Sequence, residues 1–340
     1  MFILGIESTC DETAAAVVVD GQKILSNVIH SQIPLHRKFG GVFPEVASRS
    51  HVEALPIVIR EAVKEAGVSL QDIDVISVAK GPGLIGPLLI GVNGAKALAL
   101  GLNKPFVGVN HVEAHLYAAM MGKESPIFPS LGVVVSGGHT FLVVIEDIGT
   151  YRKIGGTVDD AIGEAFDKVG KLLGLPYPGG PEIEKLALSG DKTAMHFKAG
   201  VVKEKPYDFS FSGLKTNVFY SIHGQNSPKG LACPLGEEEK AHIAASFQET
   251  ALNDIVDKAL KATRDFNLKA IYIGGGVSHN KRLRELLLKK AGEIPVFFPG
   301  PGLSLDNGAM IAGLGFHVYK KQGKGDPLTL EPLTRINMDY

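Results

Sequence analysis

The chain has 340 residues and a formal net charge of −1, with 45% hydrophobic and 21% charged residues. This length predicts two domains, and the composition is that of a soluble globular protein. The balanced charge excludes a global basic field, so any contact with nucleic acid must use local patches or partner proteins.

Neither secretion nor membrane insertion is predicted. The two cysteines, Cys10 and Cys233, provide no disulfide framework, which fits a reducing compartment. The first residues lack the basic segment and long apolar core of a signal peptide. Glycine and proline interrupt the apolar runs, so none is interpreted as a membrane span. We therefore expect a cytoplasmic protein without membrane contact.

The first predicted unit is a β-hairpin with a polar turn. Residues 2–7 and 14–19 are apolar and strand-like, and residues 8–13 between them carry hydroxyls and carboxylates. Such a turn can offer backbone N–H groups to a phosphate and carboxylates to a cation. A solvated hairpin tip is the alternative interpretation.

Helices and strands then alternate, with helices predicted over 47–67, 88–100 and 112–121 and strands over 74–79 and 104–109. His111 and His115 lie where the last of these strands leads into the last helix. Four residues apart on a helix, they differ by about 40° in direction and about 6 Å in height. Both rings can therefore reach one metal ion. The alternative interpretation is that both are ordinary core or surface histidines that bind no metal.

This pair is not the zinc-protease motif. In H-E-x-x-H the glutamate follows the first histidine directly and acts as general base. Here Glu113 is two residues beyond His111, about 200° around the helix from it. The protease geometry is therefore absent from the sequence.

The second half repeats the pattern of the first. A second strand–turn–strand unit occupies residues 131–145, with its polar turn at 136–140. Further elements are predicted in the order strand 151–155, helix 161–173, helix 237–266, strand 269–273 and helix 281–290. A glycine triplet, residues 274–276, joins the last strand to the last helix. Two similar halves of alternating strands and helices predict a duplicated α/β fold.

Residues 176–236 interrupt the alternation and are predicted to form an insertion in the second half. A rigid loop rich in proline and glycine is predicted at 176–181. Aromatic, hydroxyl and basic residues mix at 203–216 and could contact nucleic acid by stacking and phosphate contacts. For Phe209 and Phe211 we favour inward packing.

Asp306 is the candidate for a third metal ligand. It precedes an apolar helix, where an acidic residue is ordinarily an N-cap. However, the glycine- and proline-rich segment before it is longer than a cap requires. Two histidines and one carboxylate leave open positions on iron or zinc, as a catalytic or substrate-orienting site needs.

The two hairpins and the glycine-rich turn resemble the actin-like ATPase superfamily, which includes sugar kinases, acetate kinase and heat-shock chaperones. In that superfamily the hairpin turns grip phosphates across a cleft, and a glycine-rich turn in the second half holds the adenosine. The resemblance implies an α/β, duplicated actin-like ATPase (ribonuclease-H-like) fold with two lobes around a nucleotide cleft. The expected lobes are residues 1–125 and residues 126–340, the second carrying the insertion.

Six motifs, in order, resemble those of one family over nearly the whole chain. They lie at residues 96–116, 135–140, 163–168, 177–181, 209–215 and 274–277. The family is the tRNA adenosine threonylcarbamoyltransferases, formerly called glycoprotein endopeptidases. Its members transfer the threonylcarbamoyl group from threonylcarbamoyl-AMP to the exocyclic amine of the adenosine 3′ of the anticodon. The tRNAs concerned read codons that begin with A, and AMP is released.

The resemblance also implies the site residues. His111, His115 and Asp306 would hold one divalent metal, iron or zinc. The donor would be bound by residues of the second lobe: Val134, Val135, Ser136, Gly137, Gly138, His139, Asp167, Gly180, Glu184, Gly275, Gly276 and Asn280. ATP, ADP or AMP could occupy the same cleft.

Asp11 and Glu12, in the first hairpin turn, are the candidates for a general base and its orienting group. An aryl amine is a weak nucleophile, so positioning must supply much of the rate. A carboxylate near the amine can accept the proton that is lost during attack.

Two other functions remain compatible with the residues. An ATP-dependent small-molecule kinase of the same superfamily would use Asp11 as base toward a hydroxyl, but would not need the two histidines and Asp306. A scaffold that binds nucleotide and partner proteins would need no catalytic turn. Tightly bound iron or zinc favours the transferase over the kinase.

The resemblance implies tRNA as substrate and partner proteins that depend on the source. In bacteria the partners would be a degenerate relative of the same fold and a small P-loop ATPase. In archaea and eukaryotes they would be a kinase and small subunits. The basic helix at 281–290 could contribute to tRNA binding, although a solvated face is the simpler interpretation.

Overall fold

The computed structural model describes residues 1–123, 125–225, 228 and 233–338. The chain divides into two compact units. Unit 1 comprises Met1–Pro126, Glu146–Tyr151 and Phe298–Tyr340, and unit 2 comprises Ile127–Ile145 and Arg152–Phe297. The expected lobe boundary thus lies one residue from the first break. The described residues from 298 onward were expected in the second lobe, whereas they lie in unit 1.

The described residues contain ten strands in two five-stranded sheets. Unit 1 is built on β1 (Phe2–Glu7), β2 (Glu12–Val19), β3 (Lys23–Ser31), β4 (Val75–Gly81) and β5 (Phe106–Asn110). Unit 2 is built on β6 (Ser130–Val135), β7 (Thr140–Asp147), β8 (Thr150–Gly156), β9 (Ile271–Gly274) and β10 (Val296–Phe297). Strand β3 was not predicted, because its apolar and polar residues alternate irregularly.

The two sheets share one topology. The strand order is β3-β2-β1-β4-β5 in unit 1 and, read from the opposite edge, β8-β7-β6-β9-β10 in unit 2. Each sheet has an antiparallel hairpin, β1–β2 or β6–β7, beside parallel strands. This repeat confirms the prediction of a duplicated α/β fold. The carboxyl ends of β1, β4 and β5 meet at one edge, where such folds form their sites.

The helices are α1 (Ile33–His36), α2 (Pro44–Glu65), α3 (Ile85–Leu102), α4 (His111–Ala118), α5 (Ile162–Leu172), α6 (Gly179–Ala187), α7 (Ser212–His223), α8 (Glu237–Asp265), α9 (Lys281–Ala291) and α10 (Gly308–Gln322). In unit 1, α2 and α3 cover the sheet through an apolar core that includes Leu4, Ile6, Leu55, Val58 and Val92. Burial of these side chains contributes about 1.5–3 kcal/mol each.

Helix α10 explains why the end of the chain belongs to unit 1. It packs on β1 backbone to backbone, since a Cβ on Gly5 would collide with the carbonyl oxygen of Gly308 and the amide of Ala312. Glycine at position 5 permits this close approach. The loop before α10 is thereby held at unit 1, and Asp306 with it.

Helix α3 is, within the described part of the chain, the single helix long and apolar enough to cross a membrane by length and composition. Core helices of globular proteins meet the same test, so this is weak evidence for a span. Here α3 packs against α2 and β4, with Leu88, Val92 and Ala95 in the core.

The predicted insertion is more regular than expected. Helix α6 begins at Gly179, inside the segment predicted as a rigid loop, and packs against α5 and α8. It therefore belongs to the helical layer of unit 2. The prediction for Phe209 and Phe211 is confirmed, because both rings are fully buried and their centroids lie 6.0 Å apart. Residues 226, 227 and 229–232 of this segment lie outside the described residues.

Candidate functional site

The two histidines lie at the start of α4, directly after β5. Asn110 caps the helix, since its Oδ1 accepts hydrogen bonds from the amides of Val112 at 2.9 Å and Glu113 at 3.4 Å. His111 and His115 are 7% and 2% exposed, and their ring centroids lie 4.6 Å apart. The predicted placement of both rings on one side of the helix is therefore confirmed.

Asp306 meets this pair. Its Oδ1 lies 3.0 Å from Nε2 of His115 and 3.7 Å from Nε2 of His111. One ligand atom from each of the three residues falls within 4.8 Å of the others. The alternative role of Asp306 as N-cap is wrong, because Asn307 caps α10 by accepting from the amide of Met310 at 3.0 Å. The carboxylate of Asp306 is thus not engaged as the helix cap.

Glu7, at the carboxyl end of β1, orients His111. Its Oε2 lies 2.8 Å from Nδ1 of His111, and its Oε1 accepts from the amide of Thr9 at 2.6 Å. A hydrogen bond at Nδ1 leaves Nε2, the nitrogen nearer Asp306, to bind a ligand. No role of Glu7 was predicted from the sequence. A glutamate ending an otherwise apolar strand, directly before a polar turn, was the available signal.

The arrangement fits a divalent metal. Nδ1 of His115 has no hydrogen-bond partner among the described residues, and Nε2 faces Oδ1 of Asp306 at 3.0 Å, although the ring is almost fully buried. A metal ion would give Nε2 a bonding partner in place of this contact and would lower the free-energy cost of burying the ring. Burial lowers the pKa of His111, but the charges of Glu7 and Asp306 outweigh it and raise the pKa to about 9. This negative field favours a cation, and two imidazoles with one carboxylate suit iron or zinc.

Replacing Glu7 with glutamine is expected to lower the affinity for zinc or ferrous iron about 10- to 100-fold, as other outer-shell changes do. Glutamine retains an oxygen that can accept from Nδ1 of His111 but loses the charge. Titration against a chelator of known affinity measures the change. Unchanged affinity would mean that Glu7 does not act on the metal through His111.

The first hairpin turn holds Asp11 and Glu12 in the same unit. Glu12 is 8% exposed and accepts a hydrogen bond from Oγ of Ser31 at 3.1 Å. Burial, and next the charge of Asp11, raise the pKa of Glu12 to about 10. Glu12 is therefore protonated near neutral pH and is not suited to accept a proton. Burial also raises the pKa of the Cys10 thiol, which keeps it unreactive.

In unit 2, the turn between β6 and β7 follows two buried residues. Val134 and Val135 are fully buried, so their side chains do not reach a ligand. Ser136 closes the turn, its amide donating to the carbonyl of His139 at 2.8 Å. A Cβ on Gly137 or Gly138 would meet no atom within 4 Å, so space is open beside the Cα atoms of both glycines. A phosphate can approach such a turn closely.

The remaining residues predicted to bind threonylcarbamoyl-AMP lie on α5, on α6 and between β9 and α9, where Gly275, Gly276 and Asn280 are found. Oδ1 of Asp167 accepts from the amide of Gly179 at 2.7 Å, and Oε1 of Glu184 accepts from the amide of Lys281 at 2.8 Å. Gly180 has room around it, with its nearest neighbour 4.0 Å from a built Cβ. Asn280 caps α9 through Oδ1 and donates from Nδ2 to Gln248 at 2.9 Å.

Some of these groups border a cavity and others support it. A cavity of 410 Å³ in unit 2 is lined by Pro181, Glu184, Gln248, His279 and Lys281, among others. A larger one of 560 Å³, along β8 and residues 204–208, contains none of the predicted site residues. Asn280 uses both ends of its amide within the fold, so its part in the site includes positioning α9.

Replacing Gly275 with alanine is expected to destabilise the protein by about 2–4 kcal/mol, through left-handed backbone strain and overpacking. Gly275 has φ 93°, and a Cβ there would lie 2.5 Å from the carbonyl oxygen of Val135. Denaturant unfolding measures the loss. Gly137→Ala is the matched control, since its Cβ enters open space; equal stabilities for both variants would contradict the geometry.

A family model described as tRNA N6-adenosine threonylcarbamoyltransferase matches residues 23–313. A protein of that name from Protochlamydia amoebophila (strain UWE25) is 56% identical over 336 residues, which are 98% of each chain. One from Anaeromyxobacter sp. (strain Fw109-5) is 48% identical, covering 99% of this chain and 100% of that one.

A solved structure shows the same fold at low identity. HypF from T. kodakarensis is 15% identical, with a TM-score of 0.63 over 98% of this chain and 49% of that chain. This likeness concerns the fold alone, whereas the family model and the two relatives match nearly the full length. The chain belongs to the tRNA N6-adenosine threonylcarbamoyltransferase family, a family of transferases.

Proposed function

We propose that this protein transfers the threonylcarbamoyl group of threonylcarbamoyl-AMP to N6 of the adenosine 3′ of the anticodon, in tRNAs that read codons beginning with A. The amine attacks the carbamoyl carbon, the bond from that carbon to the phosphate oxygen breaks, and AMP leaves. N6 loses one proton. The observation that carries the proposal is the convergence of His111, His115 and Asp306 in a member of this family.

His111, His115 and Asp306 would hold one divalent metal, iron or zinc. When bound, such a metal supplies Lewis-acid polarisation of a carbonyl or phosphoryl oxygen. Glu7 fixes the ring of His111 with Nε2 toward the ligand. Asn110 fixes the start of α4 and so the direction of both rings. The metal ligands are therefore preorganised by groups outside the cluster, as precise sites require.

The donor is proposed to bind to unit 2. The amides of Gly137 and Gly138 donate to its phosphate, since open space lies beside the two glycines, and Ser136 closes the turn that presents them. Asp167 and Glu184 offer carboxylate oxygens to hydroxyl or amine groups of the donor. The backbone around these groups is shaped by five further residues: His139, Gly180, Gly275, Gly276 and Asn280. ATP, ADP and AMP share the phosphate and adenosine groups and would compete with the donor.

Asp11 is proposed as the general base and Glu12 as its orienting group. At neutral pH Glu12 carries its proton, because burial and the charge of Asp11 raise its pKa to about 10. A protonated Glu12 can donate a hydrogen bond to Asp11 and so fix the direction of that carboxylate. Asp11 then accepts the proton that N6 releases.

We infer that the protein acts on tRNA in the cytoplasm with partner proteins. A balanced net charge gives the chain no global attraction to RNA, so sharing tRNA binding with partners is consistent with it. For a bacterial source the partners would be a degenerate paralogue of the same fold and a small P-loop ATPase.

The test is direct. The chain is incubated with unmodified tRNA and threonylcarbamoyl-AMP, with and without the partner proteins, and the tRNA is digested for nucleoside mass analysis. Threonylcarbamoyladenosine must appear only with donor and enzyme. Its absence from every reaction, with the metal bound, would reject the proposal. A kinase would instead consume ATP with a small-molecule hydroxyl, and a scaffold would produce no modified nucleoside.

A further inference from the structure

An exposed pair of aromatic rings follows α1. Phe39 is 55% exposed and Phe43 is 46% exposed, and their ring centroids lie 5.5 Å apart with 32° between the planes. We call residues 37–43 the aromatic loop. Large apolar side chains grouped at a surface mark an interaction site more often than isolated ones do.

The charge around these rings indicates the kind of partner. Arg37 and Lys38 are exposed in the aromatic loop, and Arg49 is exposed on the first turns of α2. Within residues 37–49 the one carboxylate is Glu45, which pairs with Arg49 at 2.9 Å. Aromatic faces beside an excess of cations are the combination that binds single-stranded nucleic acid, where bases stack and phosphates meet the cations.

Hydrogen bonds tie the aromatic loop to the proposed catalytic turn. The amide of Gln32 donates to the carbonyl of Asp11 at 2.9 Å. Oε1 of Gln32 lies 3.1 Å from Nε2 of His36, and the amide of Phe43 donates to Nδ1 of His36 at 3.3 Å. Because Nδ1 accepts, the proton of a neutral ring is on Nε2, which donates to Gln32.

The same contacts are protected from solvent. Gln32 is 2% exposed and His36 is fully buried, so water does not compete for these bonds. The rings of Phe39 and Phe43 are therefore exposed on a segment fixed relative to Asp11, within unit 1. A ligand whose reactive group must reach Asp11 would meet a surface that is already ordered.

We propose that the aromatic loop binds the single-stranded anticodon loop of the tRNA, with Phe39 and Phe43 stacking on unpaired bases and Arg37 and Lys38 contacting phosphates. This inference rests on the proposed function, which requires an adenosine to leave its stack. It assigns to unit 1 a surface that holds the tRNA, which accepts the threonylcarbamoyl group.

Binding of a synthetic stem-loop RNA with an unmodified anticodon loop tests the inference, using the full chain alone and with its partner proteins. Phe39→Leu combined with Phe43→Leu keeps apolar surface but removes both aromatic faces. The double variant is expected to bind at least about tenfold more weakly, since each base–aromatic stack contributes measurably to affinity. Phe39→Tyr with Phe43→Tyr keeps the faces and should bind like the unaltered chain.

Two further readouts separate RNA binding from a structural effect. Arg37→Gln with Lys38→Gln should reduce the slope of log affinity against log salt by about 1.4, for two phosphate contacts on a single strand. The leucine variant should raise KM for tRNA while KM for threonylcarbamoyl-AMP and bound metal stay unchanged. Tyr220→Leu, which alters a 43% exposed ring in unit 2, is the matched control.

The outcomes distinguish this inference from the proposed function. If the unaltered chain modifies tRNA but the leucine variant binds RNA equally well, the inference is overturned and the function stands. If alanine at both positions weakens binding while leucine does not, the surface is an apolar protein contact and the inference also fails. If no RNA is bound or modified under any condition, both fail together.

Discussion

Replacement of His115 by alanine is expected to abolish tight metal binding and to slow threonylcarbamoyl transfer roughly 10²- to 10⁴-fold, because a Lewis-acid metal supplies several kcal/mol to the transition state. His115 is the proposed ligand whose Nε2 lies nearest Asp306, at 3.0 Å. Removing the ring leaves one imidazole and one carboxylate, too few protein ligands for a stable iron or zinc site. Metal per chain, measured by mass spectrometry after gel filtration, and the rate of transfer should fall together.

The control must separate loss of a ligand from loss of fold. His115→Gln fills most of the volume of the ring, so it limits the cavity that alanine would leave in a site 2% exposed. His317→Gln is the matched variant, since His317 also packs against α4, through the hydroxyl of Tyr117 at 2.9 Å, but lies outside the cluster. It should keep metal and activity. A His115→Gln protein that retains one tightly bound metal would refute the assignment.

The sequence predicted the parts of this centre that are local. The spacing of His111 and His115 sets their direction once a helix forms, and the strand before them is apparent from five consecutive apolar or small residues. Asp306 was found because the loop before it is longer than a cap needs. Its neighbour Asn307 is the residue that caps α10. Both Asp and Asn are good N-caps, so the sequence alone does not show which of two adjacent residues takes this position.

The parts that escaped prediction depend on pairing between distant segments. Glu7 and His111 are 104 residues apart, and they meet because β4 lies between β1 and β5 in a parallel arrangement. Helix α6 begins in a segment rich in proline and glycine, which locally favours a loop. Its first residue, Gly179, lies close to the backbone of Asp167, and the helix packs against α5 and α8, so tertiary packing stabilises it.

For the two hairpin turns, the local pattern was predicted from the sequence and the effect of tertiary packing was not. Their polar residues between apolar strands predicted two similar units, and the common strand order confirms them. The protonation of Glu12 was not predictable, since it arises from burial and from the charge of Asp11 in the folded turn. The sequence therefore named two candidate bases, and the choice between them stays a prediction.

Replacement of Asp11 by asparagine is expected to slow transfer roughly 10²- to 10⁴-fold, the usual contribution of a general base. Asparagine keeps the size and hydrogen-bonding shape of the side chain but cannot take up the proton of N6. With donor and tRNA both saturating, the loss should appear in kcat. Bound metal and donor affinity should remain those of the unaltered protein, which would exclude damage to the metal centre or to unit 2.

Glu12→Gln is the matched change at the neighbouring carboxyl. Because Glu12 is protonated at neutral pH, a neutral glutamine preserves its charge state and can still accept from Ser31 and donate to Asp11. Its effect on kcat should therefore be much smaller than that of Asp11→Asn. The reverse order would make Glu12 the base, and full activity of Asp11→Asn at saturation would remove Asp11 from the mechanism.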